Sequence, residues 1–107
     1  MYKKSKIAGI TFGDRQKYSA AIHSCERRGE KVYLSLRREK KNKYDASAIC
    51  VIAHCPSRNL HFTLGYVPHD EAIQLAPLMD SGKKPFVLKH DFGYAKKTFS
   101  CKFTYSI

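Results

Sequence analysis

The sequence contains no apolar run approaching the ~20 residues that a membrane-spanning helix needs. Behind the basic start Tyr2-Lys3-Lys4-Ser5-Lys6, only Ile7 to Ile10 follow as an apolar stretch. That is too short for the apolar region of an export signal. A cytoplasmic protein is therefore expected, associated with the nucleoid in a bacterium or nuclear in a eukaryote. Internal repeats, low-complexity tracts and Pro/Ser-rich linkers are also lacking, so residues 1–107 are expected to form one domain. A chain of this size can bury about two-thirds of its unfolded surface without help from a disulfide or a metal.

No C-x-x-C pair occurs among Cys25, Cys50, Cys55 and Cys101. His23-x-Cys25, His54-Cys55 and the Cys50/Cys55 pair lack the paired spacing of zinc sites, so no metal is expected. The thiols are read as reduced and buried. A Cys–His nucleophile needs an exposed, activated thiolate, which strand and apolar-face positions do not provide. No Gly-rich phosphate loop is present. Asp70 and Glu71 are adjacent and would project about 100° apart on a helix, a poor acid/base pair. Neither enzyme activity nor a cofactor is expected.

Acidic residues are scarce against the basic ones. Nine Asp and Glu face twenty Lys and Arg, for a net charge of +11 and a pI near 9.7. Such an excess in a small domain implies a polyanionic partner, most commonly nucleic acid, with an anionic membrane surface second. The charge is also segregated. Residues 1–18 carry five positive and one negative side chain, residues 26–43 eight and three, and residues 83–102 six and one. Residues 59–82 carry three negative and none positive, which places the second helix outside the basic surface.

Apolar periodicity predicts the elements. Lys6 to Phe12 reads as a strand, Gly13-Asp14 as a turn with Asp14 an N-cap, and Arg15 to Arg28 as an amphipathic helix. Lys31 to Arg38 alternates as a strand and Glu39 to Asp45 is a charged loop. Ala48 to His54 reads as a central strand, paired as a hairpin with Leu60 to Tyr66. After Pro68, the apolar spacing from Ala72 to Met79 predicts a second helix, with Pro77 a point of kinking. Phe86 to His90 and Thr98 to Tyr105 are the last strands, joined by a loop through Gly93-Tyr94-Ala95. This order predicts a mainly β (α+β) protein: an OB-like small β-barrel of about six strands with two helices.

The loop Asn42-Lys43-Tyr44-Asp45 stands out. As a polar turn it needs no further explanation, since Asn and Asp favour turns. Yet Asp45 sets a carboxylate in the most basic stretch of the chain. A carboxylate repels phosphate but accepts a hydrogen bond from a hydroxyl, such as the free end of a strand. Tyr44 beside it is suited to stack on a base or bond a phosphate. Among the five histidines, His69 at a helix start is singled out as an anion contact.

Five segments in order resemble the HIRAN domain. They are Ile7-Ala8-Gly9-Ile10 with Phe12; Gly13-Asp14-Arg15-Gln16; Asn42 to Ile49; Leu64-Gly65-Tyr66-Val67-Pro68; and Leu75 to Gly82, which includes Pro77. The resemblance implies an OB-like barrel that binds single-stranded DNA at its 3′ end. It implies that Tyr44 and Asp45 recognise the terminal 3′ hydroxyl and that Phe12 stacks on a base. Where the family's well-studied member has Arg, this chain has Thr11; that phosphate contact is missing here or supplied by Arg15. Tyr66 stands at a His position and His69 near a Lys position. Phe92 and Phe99 are candidates for a late aromatic of the pocket.

The expected function is non-enzymatic binding of single-stranded DNA with recognition of a free 3′ hydroxyl, in DNA repair or replication-fork processing. A helicase or nuclease is the expected protein partner. The alternative is an adaptor barrel that recruits a nucleic-acid-processing partner. Binding of RNA or of duplex through the same basic face is a further alternative.

Overall fold

The first strand of the computed structural model, which describes residues 2–107, is β1 (Tyr2–Lys6). The expected strand over Lys6–Phe12 is therefore displaced toward the N-terminus. The physical reason lies in both segments. In β1, alternate residues Lys3 and Ser5 face inward, so a paired strand carries almost no apolar signal. Beyond it the chain turns at Gly9, with φ 72°, and Phe12 N–H donates to the Gly9 carbonyl.

Helix α1 (Arg15–Arg27) follows, then β2 (Tyr33–Arg38), β3 (Ile49–Cys55), a 3-10 turn at Pro56–Arg58 and β4 (Leu60–Tyr66). Asp14 sits at the N-cap of α1, but its side chain caps no backbone amide and instead pairs with Lys17 at 3.8 Å. Helix α2 (His69–Asp80) starts after Pro68, with Asp70 and Glu71 in its first turn, where the helix dipole favours acid. It continues through Pro77 to Asp80: Pro77 has no N–H to give the Ile73 carbonyl, and the helix ends three residues later.

The hairpin β5 (Phe86–Ala95) and β6 (Thr98–Ser106) completes the chain. The loop expected at Gly93-Tyr94-Ala95 is strand, paired through to Ala95 opposite Thr98. The turn is Lys96-Lys97, both with positive φ (52° and 61°), the backbone that joins right-twisted strands tightly. Two lysines give no sequence sign of such a turn.

The strands form two antiparallel three-stranded sheets, β1-β6-β5 and β2-β3-β4. The mainly β (α+β) order of six strands and two helices is as expected, and no continuous ladder joins the two sheets into a closed barrel among the described residues. They meet at one corner. Ile7 N–H donates to Cys101 of the first sheet, and Ala8 exchanges two backbone bonds with Tyr66 of the second, at 2.8 and 2.9 Å. Gly65 permits this approach, since a Cβ there would collide with the Ala8 carbonyl oxygen and with Ile7 Cγ2 at 2.5 Å. At the other side β2 lies beside β5. The core between the sheets and helices gathers Ile22, Ile49, Val51, Leu64, Leu75, Phe103 and Tyr105. All four cysteines are free and buried. Among the described residues, no helix is long and apolar enough to cross a membrane.

Candidate functional site

The corner where the chain crosses between sheets opens into a cleft of about 560 Å3. Its walls come from four places. Ala8, Gly9 and Phe12 come from the turn after β1, Arg15 from the start of α1, Asn42, Tyr44, Asp45 and Ala48 from the β2–β3 loop, and Tyr66, Val67 and His69 from the β4–α2 junction. Seven of the nine residues singled out in the sequence meet here: Phe12, Arg15, Asn42, Tyr44, Asp45, Tyr66 and His69.

Phe12 and Tyr44 project into solvent, 72% and 97% exposed. Leaving two aromatic rings so open forgoes the burial that usually stabilises them. The Arg15 guanidinium lies over both the Phe12 ring (5.1 Å) and the Tyr66 ring (5.3 Å), and its Nη1 donates to the Gly9 carbonyl at 2.9 Å. A Cβ at Gly9 would stand 3.0 Å from that nitrogen, on a backbone at positive φ. Glycine thus seats the arginine as well as turning the chain.

The β2–β3 loop is organised by its own side chains. Asn42 Oδ1 accepts from the backbone N–H groups of Tyr44 (2.9 Å) and Asp45 (3.0 Å), and Asp45 Oδ1 accepts from Ser47 N–H (2.9 Å). Asn42 Nδ2 donates to Glu39 Oε1 (3.1 Å), which also accepts the Tyr66 hydroxyl (2.8 Å). The loop is tied to α2 by Arg38, which donates to the Ala46 and Ala48 carbonyls and to both carboxylate oxygens of Asp80. Asp45 Oδ2 meets His69 Nδ1 at 3.0 Å, at the first residue of α2.

The electrostatics follow. The His69 contact, then the Ser47 amide, hold the Asp45 carboxyl below its ordinary value despite partial burial. Burial pushes Glu39 up, but the bonds from Asn42 and Tyr66 outweigh it, and the net shift is downward. Burial, and then the bond to Glu39, raise the Tyr66 hydroxyl above its usual value. At neutral pH the cleft therefore holds the ionised Asp45 beside one guanidinium, and the ionised Glu39 is bonded to two of its walls, Asn42 and Tyr66. Asp45 keeps open acceptor positions, because a carboxylate offers about four and two are engaged.

Phe92 and Phe99 are not in the cleft. Both pack on His23 of α1, with ring centroids at 5.7 and 5.5 Å, and the Phe99 backbone is bonded twice by Gln16. Their place is the joint between α1 and the β5–β6 hairpin: β5 extends further than expected and sets Phe92 opposite the buried Cys101, and Phe99 lies two residues before Cys101 on the same face of β6. Sequence reasoning missed Glu39 and Arg38, which shape the loop. Glu39, a lone acid among basic residues, carried the same signal that drew attention to Asp45.

Elsewhere, Cys25, Glu30 and Cys55 approach within 4.8 Å of one another. There the Glu30 carboxylate is held by Arg58 at 2.7 Å and Arg28 at 2.9 Å.

Neither the curated proteins nor the solved structures compared with the chain give a match. The family model of the HIRAN domain matches residues 11–105, nearly the whole chain. The chain belongs to the HIRAN domain family, a family of nucleic-acid-binding domains.

Proposed function

We propose that the chain is a non-enzymatic module that binds single-stranded DNA and seats a free 3′ hydroxyl against Asp45. The observation that carries this reading is that the Asp45 carboxylate and the exposed rings of Phe12 and Tyr44 line one cleft. Each ring stacking on a base contributes about 1–3 kcal/mol. Arg15 pairs with a phosphate at the position where Thr11 offers no charge. Asp45, held ionised by His69 and the Ser47 amide, accepts a hydrogen bond from the terminal hydroxyl and repels a terminal phosphate. The lysines and arginines of residues 3–43 hold the rest of the strand, so affinity falls steeply with salt. On this reading the domain delivers a bound end to a helicase or nuclease partner in repair or at a replication fork.

The test is fluorescence anisotropy with three labelled ten-nucleotide DNAs at two salt concentrations. One ends in a 3′ hydroxyl, one in a 3′ phosphate, and one has its 3′ end buried in a hairpin. Preference for the hydroxyl is expected. Equal, salt-sensitive binding to all three leaves a basic nucleic-acid binder without end recognition. Absence of binding at low salt favours the adaptor reading.

A further inference from the structure

We propose that the outer face of the sheet β1-β6-β5 is a second contact surface for single-stranded nucleic acid, continuous with the cleft. The strand register sets its rows. Tyr2, Ser106 and Phe86 stand abreast, then Lys4, Thr104 and Lys89, then Lys6, Lys102 and Asp91. Inward-facing neighbours Cys101, Phe103 and Tyr105 are buried in the core, so these rows face solvent. Four lysines thus share one face with one carboxylate. The lysines that do form ion pairs among the described residues are Lys17 and Lys40, so none of these four is neutralised. Lys4, Lys89 and Lys102 border a shallow groove of about 420 Å3.

The aromatic row selects the class of polymer. Tyr2 and Phe86 are both 69% exposed and lie two strands apart, about 10 Å at the spacing of a sheet. A duplex keeps its base faces stacked inside and offers nothing to such rings; an unpaired strand offers one face per nucleotide. Charge complementarity and exposed stacking platforms together fit the phosphates and bases of a single strand. The path is continuous, because Lys6 lies two residues before Ala8, where the cleft wall begins. Lysines two apart on one strand repeat along it at about 6.6 Å, a regular ladder of positive charge.

The choice of polymer rests on the nucleic-acid reading of the cleft, so the test separates the two surfaces by length. Binding of a four-nucleotide strand, which the cleft alone accommodates, is compared with that of a fourteen-nucleotide strand, for the parent chain and for two variants. One variant is Lys4→Gln/Lys6→Gln/Lys89→Gln/Lys102→Gln; the other is Tyr2→Ser/Phe86→Ser. The parent is expected to bind the longer strand at least about tenfold more tightly. The lysine variant is expected to keep its affinity for the short strand and lose that gain, with a salt slope shallower by about 2 to 3. The aromatic variant is expected to lose at least about fivefold on the long strand only. Long-strand binding without short-strand binding removes the cleft reading and leaves this face standing. The proposal is overturned if the lysine variant binds the long strand as the parent does, or if short-strand binding falls equally. It is also overturned if a duplex or an anionic phosphatidylserine vesicle competes as well as the single strand while the aromatic variant behaves like the parent.

Discussion

Asp45 Oδ2 lies 3.0 Å from His69 Nδ1, joining the β2–β3 loop to the first residue of α2 across 24 positions of sequence. The contact aims a carboxylate into the cleft and keeps it ionised. With the Asp45 value depressed in the folded chain, its contribution to stability is present above the ordinary aspartate value. That contribution is lost as pH falls through the folded value. His69→Ala is expected to move the Asp45 titration upward. The check is the pH dependence of the Asp45 carboxyl carbon by NMR; an unmoved titration means the contact does not tune the carboxylate.

Asp45→Ala is expected to erase discrimination between 3′ hydroxyl and 3′ phosphate ends while weak, salt-sensitive binding persists. Selectivity unchanged in paired anisotropy titrations would falsify the role given to Asp45.

The two candidate groups of aromatics part company in mutation. Phe12→Ala and Tyr44→Ala are each expected to weaken a short oligonucleotide by about 1–3 kcal/mol with little change in stability, since both rings are exposed. Phe92→Ala is expected to lower stability and leave affinity intact, because its ring packs on His23 and His90. Urea unfolding beside anisotropy separates the two, and a binding defect in folded Phe92→Ala contradicts the assignment.

Tyr66→Phe removes the hydroxyl that donates to Glu39 Oε1. A bond to a charged acceptor in a half-buried site is worth about 1.5–3 kcal/mol, so a loss toward the lower end is expected. Amide exchange over residues 39–48 should quicken in the same variant. Wild-type stability and exchange together would mean that Glu39 is held well enough by Asn42 alone.

Acid sensitivity is expected to centre on Glu30. Bonds from Arg28, then Arg58 and Ser57, lower its carboxyl to about 2. Its stabilising contribution is whole above the ordinary carboxylate value of 4.5 and disappears as pH falls toward 2. Arg58→Gln should shift the acid-unfolding midpoint upward by circular dichroism, with no change near neutral pH in binding at the cleft. A midpoint identical to that of the parent places the acid-sensitive group elsewhere.

Much of this protein was legible in one dimension. The apolar periodicities of Ile49–Cys55 and Leu60–Tyr66 and of the two helices arise from local burial patterns, and those elements stand where the periodicity puts them. The imbalance of charge, and the two acids Glu39 and Asp45 within a basic loop, are properties of order along the chain. Other features depend on partners distant in sequence. β1 is a strand because β6 supplies its bonds, and β5 reaches Ala95 because Thr98 lies opposite. Whether sheets close into a barrel depends on twist and on corner contacts such as Ala8 with Tyr66, which no periodicity encodes. Phe92 and Phe99 have the chemistry of a pocket, yet the hairpin register turns them onto α1. Glu39 and Arg38 gain their roles only when Tyr66 and Asp80 arrive beside them. Residue order along the chain settles which chemical groups the cleft has to work with. Tertiary structure decided which of them face one another, because hydrogen bonds and packing act over a few ångströms in space, whatever the separation along the chain.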